Sequence, residues 1–264
     1  MKKITKFLLN VTSVGSILSI ATLNAFQLTV VGQPTPNVDG QPITQPGRVR
    51  FVEPTEDNLS SPNGRRVPAI SAGPTCDDSS KIKLTALVPE SQIGRTVSEY
   101  PVFFFYLPKS EFYDAQAEFA LIDEKDNFIY ETTLKIKNSP GVMSLSIPAN
   151  KNVSLLEAGK IYRWSIAWSC DPEDQTTAAE ARGFVRRVEL SADILRQLDA
   201  ADPRQKTVIY AENGIWQDAL GTLAAARRAN PNDRDLAADW ESLLDSVKLG
   251  SIAAEPLLPI EPQP

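Results

Sequence analysis

The chain has 264 residues, two cysteines, no histidine and a formal charge of −6. Without imidazole, histidine general bases, Ser-His-Asp and Cys-His nucleophile systems and nearly all zinc sites are excluded. The acidic balance deepens to −9 (24 basic against 33 acidic residues) once the three lysines of residues 1–32 are set aside, which argues against a nucleic-acid partner and against docking on anionic lipid.

Residues 1–32 have the pattern of a secretory signal. Lys2, Lys3 and Lys6 precede an apolar run from Phe7 to Leu23, and small residues follow at Ala21, Ala25 and Gly32. Asn10, Thr12, Ser13, Ser16, Ser19, Thr22 and Asn24 dilute that run below what a spanning helix needs, roughly 20 predominantly apolar residues. A periplasmic or secreted location follows as an expectation. Retention of the signal as an anchor is the rival reading, and it alone would bring the chain to a membrane.

Residues 33–80 are rich in proline and glycine, with Phe51 as the one aromatic side chain, so a disordered linker is predicted. Arg48, Arg50, Arg65 and Arg66 lie in it as solvated charges.

Residues 81–190 read as short strands. They are predicted at 82–88, 102–107, 117–122, 128–135, 142–147, 162–169 and 184–190. The run Val102–Leu107 is apolar on both faces and reads as a central strand. Tyr162, Trp164, Ile166, Trp168 and Cys170 alternate onto one face, as a core-facing strand requires. Seven strands with polar turns between them predict an antiparallel, immunoglobulin-like β-sandwich, and with the helices that follow an α+β fold. Cys76 lies just before the first strand and Cys170 ends the sixth. In an oxidising compartment this pair is expected to form one disulfide. It would close a loop of about 95 residues, for which the chain-entropy account gives about 4–5 kcal/mol.

Residues 191–250 turn helical. Ser191 suits an N-cap, Pro203 restarts a helix that Gly214 ends, and residues 215–230 place Trp216, Ala219, Leu220, Leu223 and Ala224 on one stripe. After Asn230-Pro231-Asn232-Asp233 a last helix runs to about Lys248, with Leu236, Trp240, Leu243, Leu244 and Val247 inward. Tyr210, Ala219, Leu223 and Pro231 keep the spacing of one tetratricopeptide repeat, while Pro203 and Lys206 occupy positions where that motif has large apolar residues. The pair is expected to dock on the sandwich, and presenting a groove to a partner is the second choice. Residues 251–264, with four prolines, are expected to be an extended, frayed tail.

Several segments together carry a family resemblance. They are Leu84-Thr85-Ala86-Leu87-Val88-Pro89, Pro101-Val102-Phe103-Phe104-Phe105-Tyr106-Leu107-Pro108, Pro140-Gly141-Val142-Met143-Ser144-Leu145, Cys170-Asp171-Pro172 and the run from Tyr210 to Leu220. In this order the chain resembles, over about 84–256, a bacterial family known as domain of unknown function 928, found largely in cyanobacteria. The resemblance implies an exported protein with no assigned activity, and so no catalytic residues to carry over.

The function expected is a non-enzymatic binding or assembly module of the periplasm or cell exterior. It would need no cofactor or metal, and would meet another envelope or extracellular protein through Trp216, Asp218 and Arg227 on the helical hairpin. The alternative is a carbohydrate-binding module or glycan-active enzyme using Asp123, Asp126, Asp171, Glu173 or Asp174, all in predicted turns. A calcium-stabilised loop at Asp123, Asp126 and Asn127 is a third reading, although the spacing misses the EF-hand pattern.

Overall fold

The run Val102–Leu107 is apolar on both faces because each face meets a different layer. It forms β3, and Phe103, Phe105 and Leu107 point into a sandwich core while Phe104, with Val102 and Tyr106, faces a layer of helices. The computed structural model describes residues 47–55, 84–108, 115–136, 140–149, 155–169 and 179–260. The expected signal at 1–32, most of the linker, Cys76, Cys170 and with them the disulfide, and Asp171, Glu173 and Asp174 lie outside these residues.

The strands are β1 (Thr85–Ala86), β2 (Ile93–Thr96), β3 (Val102–Leu107), β4 (Ala115–Ile122), β5 (Phe128–Ile136), β6 (Gly141–Ser146), β7 (Ile161–Ser169), β8 (Ala179–Arg187) and, after the helices, β9 (Leu257–Ile260). They form a four-stranded sheet of order β1-β3-β6-β9 and a five-stranded sheet of order β2-β8-β7-β4-β5. Between the sheets, Phe103 lies 5.1 Å from Phe119 and 5.2 Å from Trp164, ring centre to ring centre. Trp164 is wholly buried and Trp168 nearly so, which makes the alternating strand β7 a core strand and not a ligand platform.

The sheets are not wholly antiparallel, as the sequence had led us to expect. β2 pairs with β8 in parallel, and β9 pairs with β6 in parallel. Ile93-Gly94-Arg95-Thr96 is too short and too interrupted to read as a strand from sequence. β9 belongs to the tail predicted to fray. Its backbone is extended, but it is held at the sheet edge, where Pro259 is tolerated because an edge strand leaves donors unpaired. The Val142 amide donates to the Pro256 carbonyl, and the Tyr106 hydroxyl donates to Glu255 at 3.2 Å.

The helices are α1 (Ala192–Ala200), α2 (Pro203–Glu212), α3 (Trp216–Ala229) and α4 (Arg234–Asp245). Ser191 caps α1 through the Ile194 amide, and Asp202 with Gln205 forms a reciprocal capping box on α2 behind Pro203. Helices α3 and α4 dock on the outer face of the four-stranded sheet, with α2 packed on α3 and α1 on α2. Leu87, Phe104 and Val142 of the sheet share one buried cluster with Trp216, Leu220, Trp240 and Leu243. Residues Gly47–Pro264 therefore form one compact unit, without a separation at 190.

Nine residues of the expected linker, 47–55, do not behave as linker. Residues 47–55 cross the helices as a strap. Val49 and Phe51 are buried in the helical core, the Val52 amide donates to the Ala211 carbonyl, and the Phe51 amide donates to the Ser246 hydroxyl. Arg48 is exposed, as expected, but it is also paired: it meets Asp235 at 3.1 Å and Asp239 at 3.6 Å. The strap turns against Gly214, whose φ of +71° suits glycine and whose missing Cβ would fall 2.3 Å from the Pro54 ring. Gly214→Ala is expected to cost about 2 kcal/mol in denaturant unfolding, from backbone strain and the clash together. A cost below about 0.5 kcal/mol would show that the strap simply moves aside.

Candidate functional site

The three side chains expected on a partner surface are not together on one. Trp216 is fully buried. Its indole N–H donates to the Leu87 carbonyl at 2.8 Å, and the Phe51 ring meets it edge-on at 5.1 Å. Arg227 lies over the Trp240 ring at 5.2 Å, and burial pushes its pKa below the usual arginine value. The apolar stripe that holds Trp216 does not say by itself whether it meets the sheet or a partner. Here Trp216 is the anchor that fixes α3 to the sheet.

Asp218 is different. It stands in the first turn of α3, accepts the Val97 amide at 3.1 Å and is hydrogen-bonded to the Thr96 side chain. It lines a cleft of about 190 Å³ between the first turns of α3 and the chain from Thr96 to Val102, with Ser98, Tyr100 and Thr222 also on the wall. Although partly accessible from the cleft, the carboxyl is surrounded by enough protein for desolvation to push its pKa up to about 6, against the opposing effect of the Thr96 and Val97 hydrogen bonds.

Beside it sits Gln217, only 3% exposed. Its amide nitrogen donates to the Val102 carbonyl at 3.3 Å, and its buried Oε1 receives no hydrogen bond among the described residues. Gln217 fits there because Gly94 of β2 carries no side chain; a Cβ at that position would come 3.1 Å from the amide carbon. A glutamine within the buried stripe of α3, opposite a glycine in the neighbouring sheet, was the sequence signal for this site, and the reading by apolar periodicity passed over it.

The raised pKa of Asp218 has a consequence for stability. In the unfolded chain this carboxyl should titrate near 3.8, in the folded chain near 6, so between those values the folded state binds the extra proton. The group's contribution therefore favours folding as pH falls from about 7 toward 4 and is lost as pH rises through 6. Asp218→Asn mimics the protonated form and can still accept the Val97 amide. It is expected to be more stable than the parent at pH 7.5, by up to about 3 kcal/mol and less where cleft solvent screens the charge. The difference should shrink at pH 4.5. Parallel melting curves for the two proteins across that range would contradict the shift.

A second cleft, of about 580 Å³, runs between α2, α3 and the start of α4. Ala225, Ala226, Ala229 and Leu236 line it together with Pro203, Arg204 and Lys206. Thr222 belongs to both clefts. Asp218, Thr222, Ala225, Ala226 and Ala229 thus form one outward stripe at helical spacing, and the two clefts meet at Thr222.

The turn carboxylates do local work. Asp123 accepts the backbone amides of Lys125 and Asn127 and the Asn127 side-chain amide, which holds its pKa below the usual carboxylate range, and Asp126 pairs with Arg163 at 2.8 Å. Among the described residues no group of three or more Asp, Glu, His or Cys side chains is placed to hold a metal ion, and no helix is long and apolar enough to cross a membrane.

The architecture is a β-sandwich with one sheet covered by helices and a cleft at the junction of the two. The chain belongs to the Domain of Unknown Function family DUF928, whose profile matches residues 61–257. The strap at 47–55 lies outside that match. No curated protein matches the sequence. Two crystal structures of β-glucuronidase from Parabacteroides merdae, the first with glycerol in its active site, are similar at a TM-score of 0.23 each. The first is 15% identical over 39% of this chain and 13% of its own, the second 10% identical over 67% and 28%. The chain thus spans under a third of either, and similarity at that score carries no argument.

Proposed function

We propose that this protein is a non-enzymatic binding or assembly module of the periplasm or cell exterior, and that it meets its partner along the outward stripe of α3. The observation that carries this reading is the apolar-walled cleft of about 580 Å³ left open between α2, α3 and α4 after the inward faces of these helices are buried on the sheet. The Tyr210, Ala219, Leu223 and Pro231 spacing of a tetratricopeptide repeat supports the same view, since such helix pairs present grooves to extended segments. The occupant is an apolar segment of an envelope protein. The leader-like residues 1–32 support the location.

A photoreactive side chain placed at exposed Ala229 tests this in cells that export the protein. A discrete adduct in the envelope fraction is expected from Ala229, and none from Glu131 on the edge strand β5. Ala225→Arg, at another exposed position, fills the cleft without disturbing the core and should abolish the adduct. Absence of an adduct at Ala229, or one indifferent to Ala225→Arg, removes this surface.

A further inference from the structure

We infer that the smaller cleft, between Asp218 and the Thr96–Val102 chain, is a binding site for a primary ammonium group; this rests on the reading of the outward stripe of α3 as the partner surface. The wall carries acceptors. Asp218 supplies a carboxyl, Thr222 a hydroxyl that can turn to accept, and Ser98 an Oγ that accepts the Tyr100 amide and keeps a second lone pair. An ammonium brings three donors and a positive charge on a thin stem, which Tyr100 and Pro101 can flank.

Among the described residues no cation pairs with Asp218. The groups acting on its carboxyl are the Thr96 side chain and backbone amides, and Tyr210 of α2 is the titratable neighbour that feels its charge. Arg187 of β8 approaches Val97 from its carbonyl side, but its guanidinium is spent on the Leu156 carbonyl at 2.9 Å and on Glu99 at 3.2 Å. An anion would face the carboxylate, and a neutral hydroxyl would leave its charge uncompensated. Because the cleft meets the apolar one at Thr222, the ammonium best fits a lysine side chain on the same partner segment that lies over Ala225 and Ala229.

The test is a titration of the full, isotope-labelled chain at constant ionic strength, following the Val97 and Gly221 amide signals. The probes are n-butylammonium chloride, N-acetyl-lysine methylamide and, as the uncharged match, n-butanol. Saturable shifts with both amines at pH 7.5 are expected. Binding should weaken at least tenfold in Asp218→Asn and again in the parent at pH 4.5, where Asp218 is protonated. Tighter binding of the lysine derivative than of n-butylammonium supports the site with a peptide as its source, and equal binding supports it with a free amine. No saturation by either amine, equal response to n-butanol, or indifference to Asp218→Asn overturns the assignment. An Ala229 adduct without amine binding would sink the ammonium site and spare the partner surface; amine binding without the adduct would do the reverse.

Discussion

Trp216→Ala is expected to lower stability by at least about 4 kcal/mol, much of what a domain of this size has to lose. The indole is fully buried between the strap and the four-stranded sheet, so its removal leaves a cavity worth about 3–5 kcal/mol. It also strands the Leu87 carbonyl, which now accepts the indole N–H at 2.8 Å, and removes the edge-on contact with Phe51. Trp216→Phe keeps a ring against Phe51 and should recover more than half of the loss. Denaturant midpoints give the magnitude, and amide exchange gives the place. Protection should fall first in α2, α3 and the strap, while β4 and β7, whose inward faces lie in the separate sandwich cluster, hold longer. A cost below about 1 kcal/mol would mean that Trp216 is not the anchor described.

Arg204→Ala is expected to cost more than Asp239→Ala, although the two side chains form one pair. Asp239 of α4 is wholly buried. Both Nε and Nη2 of Arg204 on α2 bind it, and Arg48 of the strap stands 3.6 Å away. The hydrogen bond to Asp239 holds the Arg204 guanidinium above the ordinary arginine pKa. Removing Arg204 leaves a buried carboxyl with only the distant Arg48, at a cost of about 3–5 kcal/mol. Removing Asp239 leaves two arginines that are 27% and 48% exposed and can turn to water, so about 2 kcal/mol is expected. The double variant should cost less than the two losses added, because the first substitution has already broken the pair. Equal single losses would show that the carboxyl reaches water by another route.

These effects mark where sequence reasoning held and where it stopped. Helix ends were legible because their signals are local: Ser191, Asp202-Pro203, Gly214 and Asn230-Pro231-Asn232-Asp233 each act on neighbouring amides. The inward stripes of α3 and α4 were legible because periodicity records burial. The strap was missed although Val49 and Phe51 alternate with Arg48 and Arg50. Averaged over a proline-rich stretch, two apolar residues weigh little, and only the packed helices around Trp216 give them a place. Strands β2 and β9 were missed for a related reason. A parallel edge pairing is set by the neighbour's free carbonyls and amides, which no local pattern records.

The sequence alone determined seven of the nine described strands, the helices, and which face of each would be apolar. Whether an apolar face meets core or partner was decided only by tertiary structure, since both burials leave the same pattern in the chain. Trp216 went to the core and Asp218 to a cleft wall, two residues apart on one helix, because the four-stranded sheet covers one side of α3 and leaves the adjoining side open.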